Sequence, residues 1–187
     1  MIPLLNSFRP IVVVEPHADD AFLSVGAHIE EWVKGGTDVT IWTIFSGTRK
    51  RAVDAQAYAR AVGAKWLGSA LVEGEPLELK IVAEPDDPIQ YIVPLALTHP
   101  EHQSVRDVFE EGLPACQLFY YLDQPYAITQ KNGPLITELL QGRRVASYRK
   151  PGVRKYRHTP LFKDQAKFYH YNPAEKLVQT CELLVTT

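Results

Sequence analysis

Cysteine is scarce in this sequence: 187 residues contain only Cys116 and Cys181. The two lie far apart and form no metal-type pair, so a disulfide framework or a thiolate-bound zinc module is not expected, and a reduced intracellular chain is. Charge of one sign is also lacking. Twenty Lys+Arg stand against 22 Asp+Glu, a net charge of −2, so no global basic field recruits nucleic acid or anionic lipid. The longest basic cluster, Arg49-Lys50-Arg51, is read as a solvated loop. No stretch approaches the ~18 apolar residues of a membrane span. Met1 to Pro10 lacks the basic start and apolar run of a secretory signal. Repeats and low-complexity tracts are absent. A cytoplasmic protein with no nucleic-acid partner and no membrane span is the expectation.

What is present is ordinary for a globular chain: 45% hydrophobic and 22% charged residues. The length suits one domain over residues 1–187 with a sizeable core. Ile11 to Val14 is a continuous β-branched run, the mark of a buried, parallel strand. Phe22, Val25, Ile29, Trp32 and Val33 then recur at helical spacing, up to Gly35-Gly36. Val39 to Phe45 reads as a strand, Ala52 to Val62 as a helix ending at Gly63, and Lys65 to Leu71 as a short strand. Residues 74–88, rich in proline and acids, read as a loop. Ile89 to Leu97 reads as a strand despite Pro94, Glu101 to Glu111 as a helix, and Leu118 to Leu122 as another strand. This alternation predicts an α/β fold: a Rossmann-like, mostly parallel sheet flanked by helices. The last third is less regular, broken by Pro125, Pro134, Pro151 and Pro160, with a helix candidate at 160–169.

Two constellations of reactive side chains fall at strand ends. Pro16-His17-Ala18-Asp19-Asp20 sits where the first strand gives way to the first helix, and open α/β sheets bind ligands outside the carboxyl ends of their strands. His17 and Asp20, three apart, can be aimed at one point by one tight turn. Asp19 can face the same cavity. Either aspartate could instead cap the helix. Thr98-His99-Pro100-Glu101-His102 follows a second apolar strand and precedes a second helix. A catalytic zinc site uses three protein ligands plus water and takes imidazole with carboxylate. His17, Asp20 and one of these two histidines would complete it, whereas magnesium would prefer an all-oxygen shell. The pair His99 and His102 alone would read as helix-start surface residues. His28, His158 and His170 have no such context and read as surface or packing residues.

At these motifs the sequence resembles the N-acetylglucosaminyl-phosphatidylinositol deacetylase family, also called the LmbE-like family. Pro16-His17-Ala18-Asp19-Asp20 matches its Pro-His-x-Asp-Asp motif. Pro94-Leu95-Ala96-Leu97-Thr98-His99-Pro100-Glu101-His102 is similar to its His-x-Asp-His motif after a Pro-Leu strand. Between them, Arg51 and Asp54 resemble an Arg-x-x-Glu helix. The resemblance covers about half of the chain and departs at Ala21, where many members have Glu, at Gly26-Ala27, where a Gly pair is common, and at Glu101, where Asp is usual. It implies a Rossmann-like fold and one Zn2+ per chain held by His17, Asp20 and His102. It further implies that Asp19 is the general base and that His99 stabilises an oxyanion or serves as an acid. The implied reaction releases acetate from an N-acetyl sugar or glycoconjugate.

Arg51 is a further candidate for a substrate hydroxyl or phosphate, with a surface helix-start role as its alternative. Tyr120, Tyr121, Asp123 and Tyr126 follow a late strand, and sugars often rest against aromatic rings, but Tyr-rich edges are more often packing; only Tyr126 is kept as a substrate candidate. Other readings are a Rossmann-like sugar- or nucleotide-binding protein without turnover, a metal-bound but inactive relative, and an amidohydrolase for a different acylated amine. The first lacks the Gly-x-Gly-x-x-Gly turn after the opening strand and leaves the histidines without a use.

Overall fold

The β-branched run Ile11 to Val14 opens β1 (Ile11–Glu15), an interior strand between β2 and β4, as suits a run that is apolar on both faces. A computed structural model describes residues 9–81, 88–124, 126–128, 133–149, 161 and 182–186. The elements that follow are α1 (Asp20–Lys34), β2 (Val39–Thr43), α2 (Arg49–Val62), β3 (Lys65–Gly68), β4 (Gln90–Pro94), α3 (Pro100–Gly112), β5 (Leu118–Tyr121), α4 (Gly133–Leu139), β6 (Arg144–Arg149) and β7 (Glu182–Thr186). The strand order is β3-β2-β1-β4-β5-β7-β6. β1 pairs in parallel with β2 and with β4, and β3 and β5 extend the parallel set on either side. β7 runs antiparallel to β5, and β6 antiparallel to β7. The α/β, mostly parallel sheet expected from the alternation is therefore the observed fold.

Successive strand residues point to opposite faces, so the sheet makes two cores. Val13, Ile41, Ile92, Phe119 and Leu184 pack with Phe22, Ile29 and Trp32 of α1 and with Tyr58 and Val62 of α2. Val14, Val93, Tyr120 and Val185 pack with Val105 and Phe109 of α3 on the other face. The chain leaves β1 toward β2 on one side and returns on the other as β4. The carboxyl ends of β1 and β4 thus form a topological switch point, where such sheets open a crevice.

Local chemistry sets the boundaries. α2 begins at Thr48, whose hydroxyl accepts from the Arg51 N–H, and ends at Gly63, which adopts φ +82° and a left-handed cap. The ladder of β4 stops at Pro94, three residues short of the expected strand end at Leu97, because Ala96 takes φ +63° and turns the chain. Within residues 69–81 no regular element forms, while 82–87 and the helix expected over 160–169, apart from Leu161, lie outside the described residues. Sequence reading missed α4, β6 and β7. β6 is an edge strand with Val145 62% exposed, so its pattern is not that of a buried run.

No helix among the described residues is long and apolar enough to cross a membrane. Gly47, just after β2, donates its N–H to the Leu71 carbonyl, and a Cβ there would fall on the carbonyl oxygen of Ala70. Gly47→Ala should therefore cost about 1–3 kcal/mol by displacing residues 70–72. A lowered urea midpoint with unchanged slope is the expected outcome; an unchanged midpoint would show that this crossing gives way freely.

Candidate metal centre

Two turns at the switch point carry the site. After β1 the chain turns at 16–19, and the Asp20 N–H bonds the His17 carbonyl at 3.1 Å. This brings both side chains to one side, and Asp20 Oδ2 accepts from the His17 backbone N–H at 2.8 Å. Neither aspartate spends its carboxylate capping α1: Asp19 occupies the cap position without a side-chain cap bond. After β4, the left-handed Ala96 redirects the chain so that α3 starts with His99 as its cap and His102 in its first turn.

Three donor atoms converge. His17 Nδ1 lies 3.3 Å from Asp20 Oδ2, His102 Nε2 lies 3.2 Å from the same oxygen, and the two nitrogens are 3.3 Å apart. A tetrahedral zinc with bonds of about 2.0–2.2 Å needs ligand atoms about 3.3–3.6 Å from one another. The donor set therefore fits such an ion in both chemistry and spacing. A wider grouping, with the ring nitrogens of His17, His99 and His102 within 4.8 Å of one another, is also present. The first set matches a metal's coordination edge more closely, and it includes a carboxylate.

The far nitrogen of each imidazole is held in turn. His17 Nε2 lies 2.6 Å from Glu101 Oε2, and His102 Nδ1 lies 2.6 Å from Asp123 Oδ1. A neutral ring that donates to a carboxylate on one side presents a lone pair on the other, the arrangement that orients metal-binding histidines. Asp123 is fully buried, and its second oxygen accepts from the Ala96 N–H at 2.7 Å. One carboxylate thus orients His102 and anchors the strained turn. Glu101 Oε1 accepts from the Gly74 N–H at 2.6 Å, tying the 71–75 loop to the site.

His99 has a different setting. Its Nδ1 accepts from the Glu101 N–H at 3.3 Å, so the helix-start role considered from sequence is real. The neutral ring then carries its proton on Nε2. Burial pushes the His99 pKa down, helped by the neighbouring His102 and His17, which favours that neutral form. Its ring centroid stands 5.0 Å from that of His17 and 5.1 Å from that of His102. Tyr126 packs its ring edge-on to His102 at 5.6 Å. Arg51 reaches in from α2, with Nη1 3.8 Å from Asp19 Oδ1 and Nη2 2.6 Å from Glu73 Oε1.

All six residues singled out from sequence (His17, Asp19, Asp20, Arg51, His99 and His102) therefore meet at this edge. Three contributors were missed or misread. Asp123 is not among the sequence-predicted site residues; it lies beyond β5, the next parallel strand along the same sheet edge, and that position is the available signal. Glu101 enters the sequence analysis only as a departure from the motif's usual Asp. Glu15, fully buried at the end of β1, accepts from the Ala21 N–H at 3.0 Å and from the Thr43 hydroxyl at 2.6 Å. His28, read as a surface or packing residue, is 1% exposed and remote from this cluster in its bonding.

Without a metal the site holds its charges by mutual pairing. Burial lowers the His102 pKa, but the charge of Asp20 and the hydrogen bond of Asp123 outweigh it and raise the group to about 10. Burial likewise opposes charge on His17, and Asp20 raises it to about 9. Burial works against Asp20 as well, yet the two imidazoles hold it well below the usual carboxylate range. Glu15 is pushed up to about 8 by burial, against its hydrogen bonds from Thr43 and Ala21.

Comparison with solved structures places the fold. A structure of the A40926 pseudoaglycone deacetylase Dbv21 is 22% identical, aligns over 87% of this chain and 84% of that one, and has a TM-score of 0.64. The zinc-inhibited form of the teicoplanin deacetylase Orf2 is 16% identical over 95% and 98%, with a TM-score of 0.66. GalB, the 4-carboxy-2-hydroxymuconate hydratase of Pseudomonas putida KT2440, is 14% identical over 87% and 82%, with a TM-score of 0.61. The chain shares the fold of these two deacetylases and of the hydratase. No family model and no curated protein matches it.

The signs of these shifts give a pH dependence. Stability from His17 and His102 is fully present below the unfolded value of 6.5 and is lost as pH rises through about 9 and 10. Glu15 acts in the same direction between 4.5 and about 8. Chelator-treated protein should melt at progressively lower temperature as pH rises from about 6.5 toward 9. A melting temperature that is flat or rising over this window would contradict the paired, protonated site.

Proposed function

We propose that this protein is a zinc-dependent N-deacetylase that hydrolyses the acetamide of an N-acetylated sugar or sugar conjugate. The observation that carries the reading is the triangle of His17 Nδ1, Asp20 Oδ2 and His102 Nε2, with edges of 3.2–3.3 Å. Bound there, zinc would act as a Lewis acid and lower the pKa of a water to near neutrality. Each protein group around the triangle has a task. Asp19 takes the proton of the attacking water at its carboxylate oxygen. His99 donates its Nε2–H to the carbonyl oxygen as negative charge develops there. The proton then passes to the departing nitrogen, for which Asp19 and His99 are both at hand. Acetate and the free amine leave, with atoms and charge balanced by the one water consumed.

Arg51 contributes a cation beside Asp19, suited to a substrate hydroxyl or an anionic substituent. Tyr126 offers an apolar ring edge on the His102 side. Two fold neighbours are deacetylases named for A40926 pseudoaglycone and teicoplanin, which supports a conjugate as substrate. One of them is described in a zinc-inhibited form, so the identity and amount of metal are to be varied in any assay. A second reading, addition of water to a carbon–carbon double bond, is favoured by a single observation: a hydratase shares the fold.

Metal analysis beside acetate release from N-acetyl sugars and their conjugates tests this function. One zinc per chain with acetate release is the expected result, whereas metal without acetate would favour the second reading or another acyl group. Asp19→Asn should keep the metal and lose at least about 100-fold in kcat; near-normal turnover would remove Asp19 from the mechanism. His17→Ala should lose both metal and activity, and stoichiometric zinc in that variant would refute its place in the triangle.

A further inference from the structure

A second buried constellation lies at the middle of α1, away from the ion-binding triangle. Val25 departs from helical geometry, with φ −139° and ψ +19°, so α1 is two helical segments joined at a kink. The segment beyond the kink opens with N–H groups that bond a side chain from the other end of the sequence. The Ala27 N–H meets Glu182 Oε1 at 2.9 Å and Oε2 at 3.1 Å. The His28 N–H meets Oε2 at 3.1 Å. The same oxygen lies 2.9 Å from His28 Nδ1, and His28 Nε2 lies 3.0 Å from the Ser147 hydroxyl. Glu182 and His28 are each 1% exposed. A carboxylate delivered by β7 therefore caps the second half of α1 internally, satisfying donors that the kink frees and complementing the dipole of residues 26–34.

Serine, imidazole and carboxylate follow one another here as in a hydrolytic triad. The carboxylate, however, is committed to two backbone N–H groups, and the imidazole is sealed from solvent. The arrangement is that of a structural clamp.

Two connections link the clamp to the candidate site. The first half of α1 is the short segment that carries Asp20, so the kink angle sets where that carboxylate points. Ser24, the residue before the kink, is 1% exposed, and its hydroxyl accepts from the Gln124 N–H at 3.0 Å. Gln124 adjoins Asp123, which holds His102 Nδ1 at 2.6 Å. Both His102 and Asp20 are thus oriented through residues that the kink places.

We propose that Glu182 is a positioning residue for the ion-binding triangle: it holds the α1 kink open so that Asp20 and the Ser24–Gln124–Asp123 connection fix the donor atoms at ion-binding spacing. The proposal rests on the metal reading of the triangle. Two variants test it, Glu182→Gln, which removes the charge and one acceptor oxygen, and Ser24→Ala, which removes the relay hydroxyl and leaves the clamp intact. Zinc affinity is measured by competition with a chromophoric chelator. The His102 Nδ1 proton is followed by NMR in the zinc-free protein, and stability by thermal melting.

Glu182→Gln should bind zinc at least about tenfold more weakly and shift the His102 signal, and Ser24→Ala should do both to a smaller extent. Val39→Ala, at the amino end of β2, serves as a core substitution that lowers stability without removing any hydrogen bond of the connection; its zinc affinity should stay at the wild-type value. If Glu182→Gln does not fold, Ser24→Ala decides alone. Wild-type affinity and an unmoved His102 signal in Ser24→Ala, or an equal loss of affinity in Val39→Ala, overturns the proposal. Wild-type protein that takes up no zinc overturns the metal reading itself, a result distinct from either.

Discussion

The structure turns on one buried carboxylate shared by two imidazoles. Asp20 is 5% exposed, and an ionised carboxylate so placed is costly unless its charge is met at close range. His17 and His102 meet it from two different strand ends. Their own far nitrogens need acceptors, and Glu101 and Asp123 supply them. The demand propagates outward: Asp123 fixes the left-handed Ala96, and Glu101 fixes the 71–75 loop. A fold that buries this one charge must therefore bring four chain segments into register at the sheet edge.

The same demand makes the centre suited to a cation. In the metal-free state two protonated rings neutralise Asp20 with surplus positive charge, held by Glu101 and Asp123. A divalent ion placed among the same three donor atoms would replace protons with a compact charge at the point where those protons sit. Uptake of the ion and release of protons are then one event. Preorganisation follows from this, because the donor atoms already lie at coordination spacing and little rearrangement is required. The strain at Ala96 is accommodated by the carboxylate that also orients His102, so the turn and that imidazole are stabilised together.

The parts of this design that were legible in the sequence share a property: they are local. The β-branched run of β1, the apolar stripe of α1 and the Gly63 stop of α2 are each written within a dozen residues. So is the delivery of His17, Asp19 and Asp20 to one strand end and of His99 and His102 to another. What escaped reading is what requires knowing which strands are neighbours. Asp123 becomes a partner of His102 only once β5 is placed beside β4. Glu182 opens a strand with a charge, the opposite of the usual mark of a buried element, and its reason lies in a helix kink more than 150 residues earlier. β6 escaped because an edge strand with an exposed valine has no apolar run to reveal it.

Glu101, which stands where the resembled motif has aspartate, extends the site to a neighbouring loop. The glutamate bridges His17 Nε2 and the Gly74 N–H, each at 2.6 Å. A shorter carboxylate on the same helical turn would have one methylene less with which to span that gap. The neighbouring Glu73 engages Arg51, the cation that approaches Asp19 from α2. The 71–75 loop is therefore fastened twice to the reactive cluster, once through a histidine of the triangle and once through the arginine beside the candidate base. Any molecule that draws Arg51 or Glu101 toward itself must loosen this loop as it does so. The position of the 71–75 loop and the charge pairing at this edge are consequently coupled through Glu101 and Glu73.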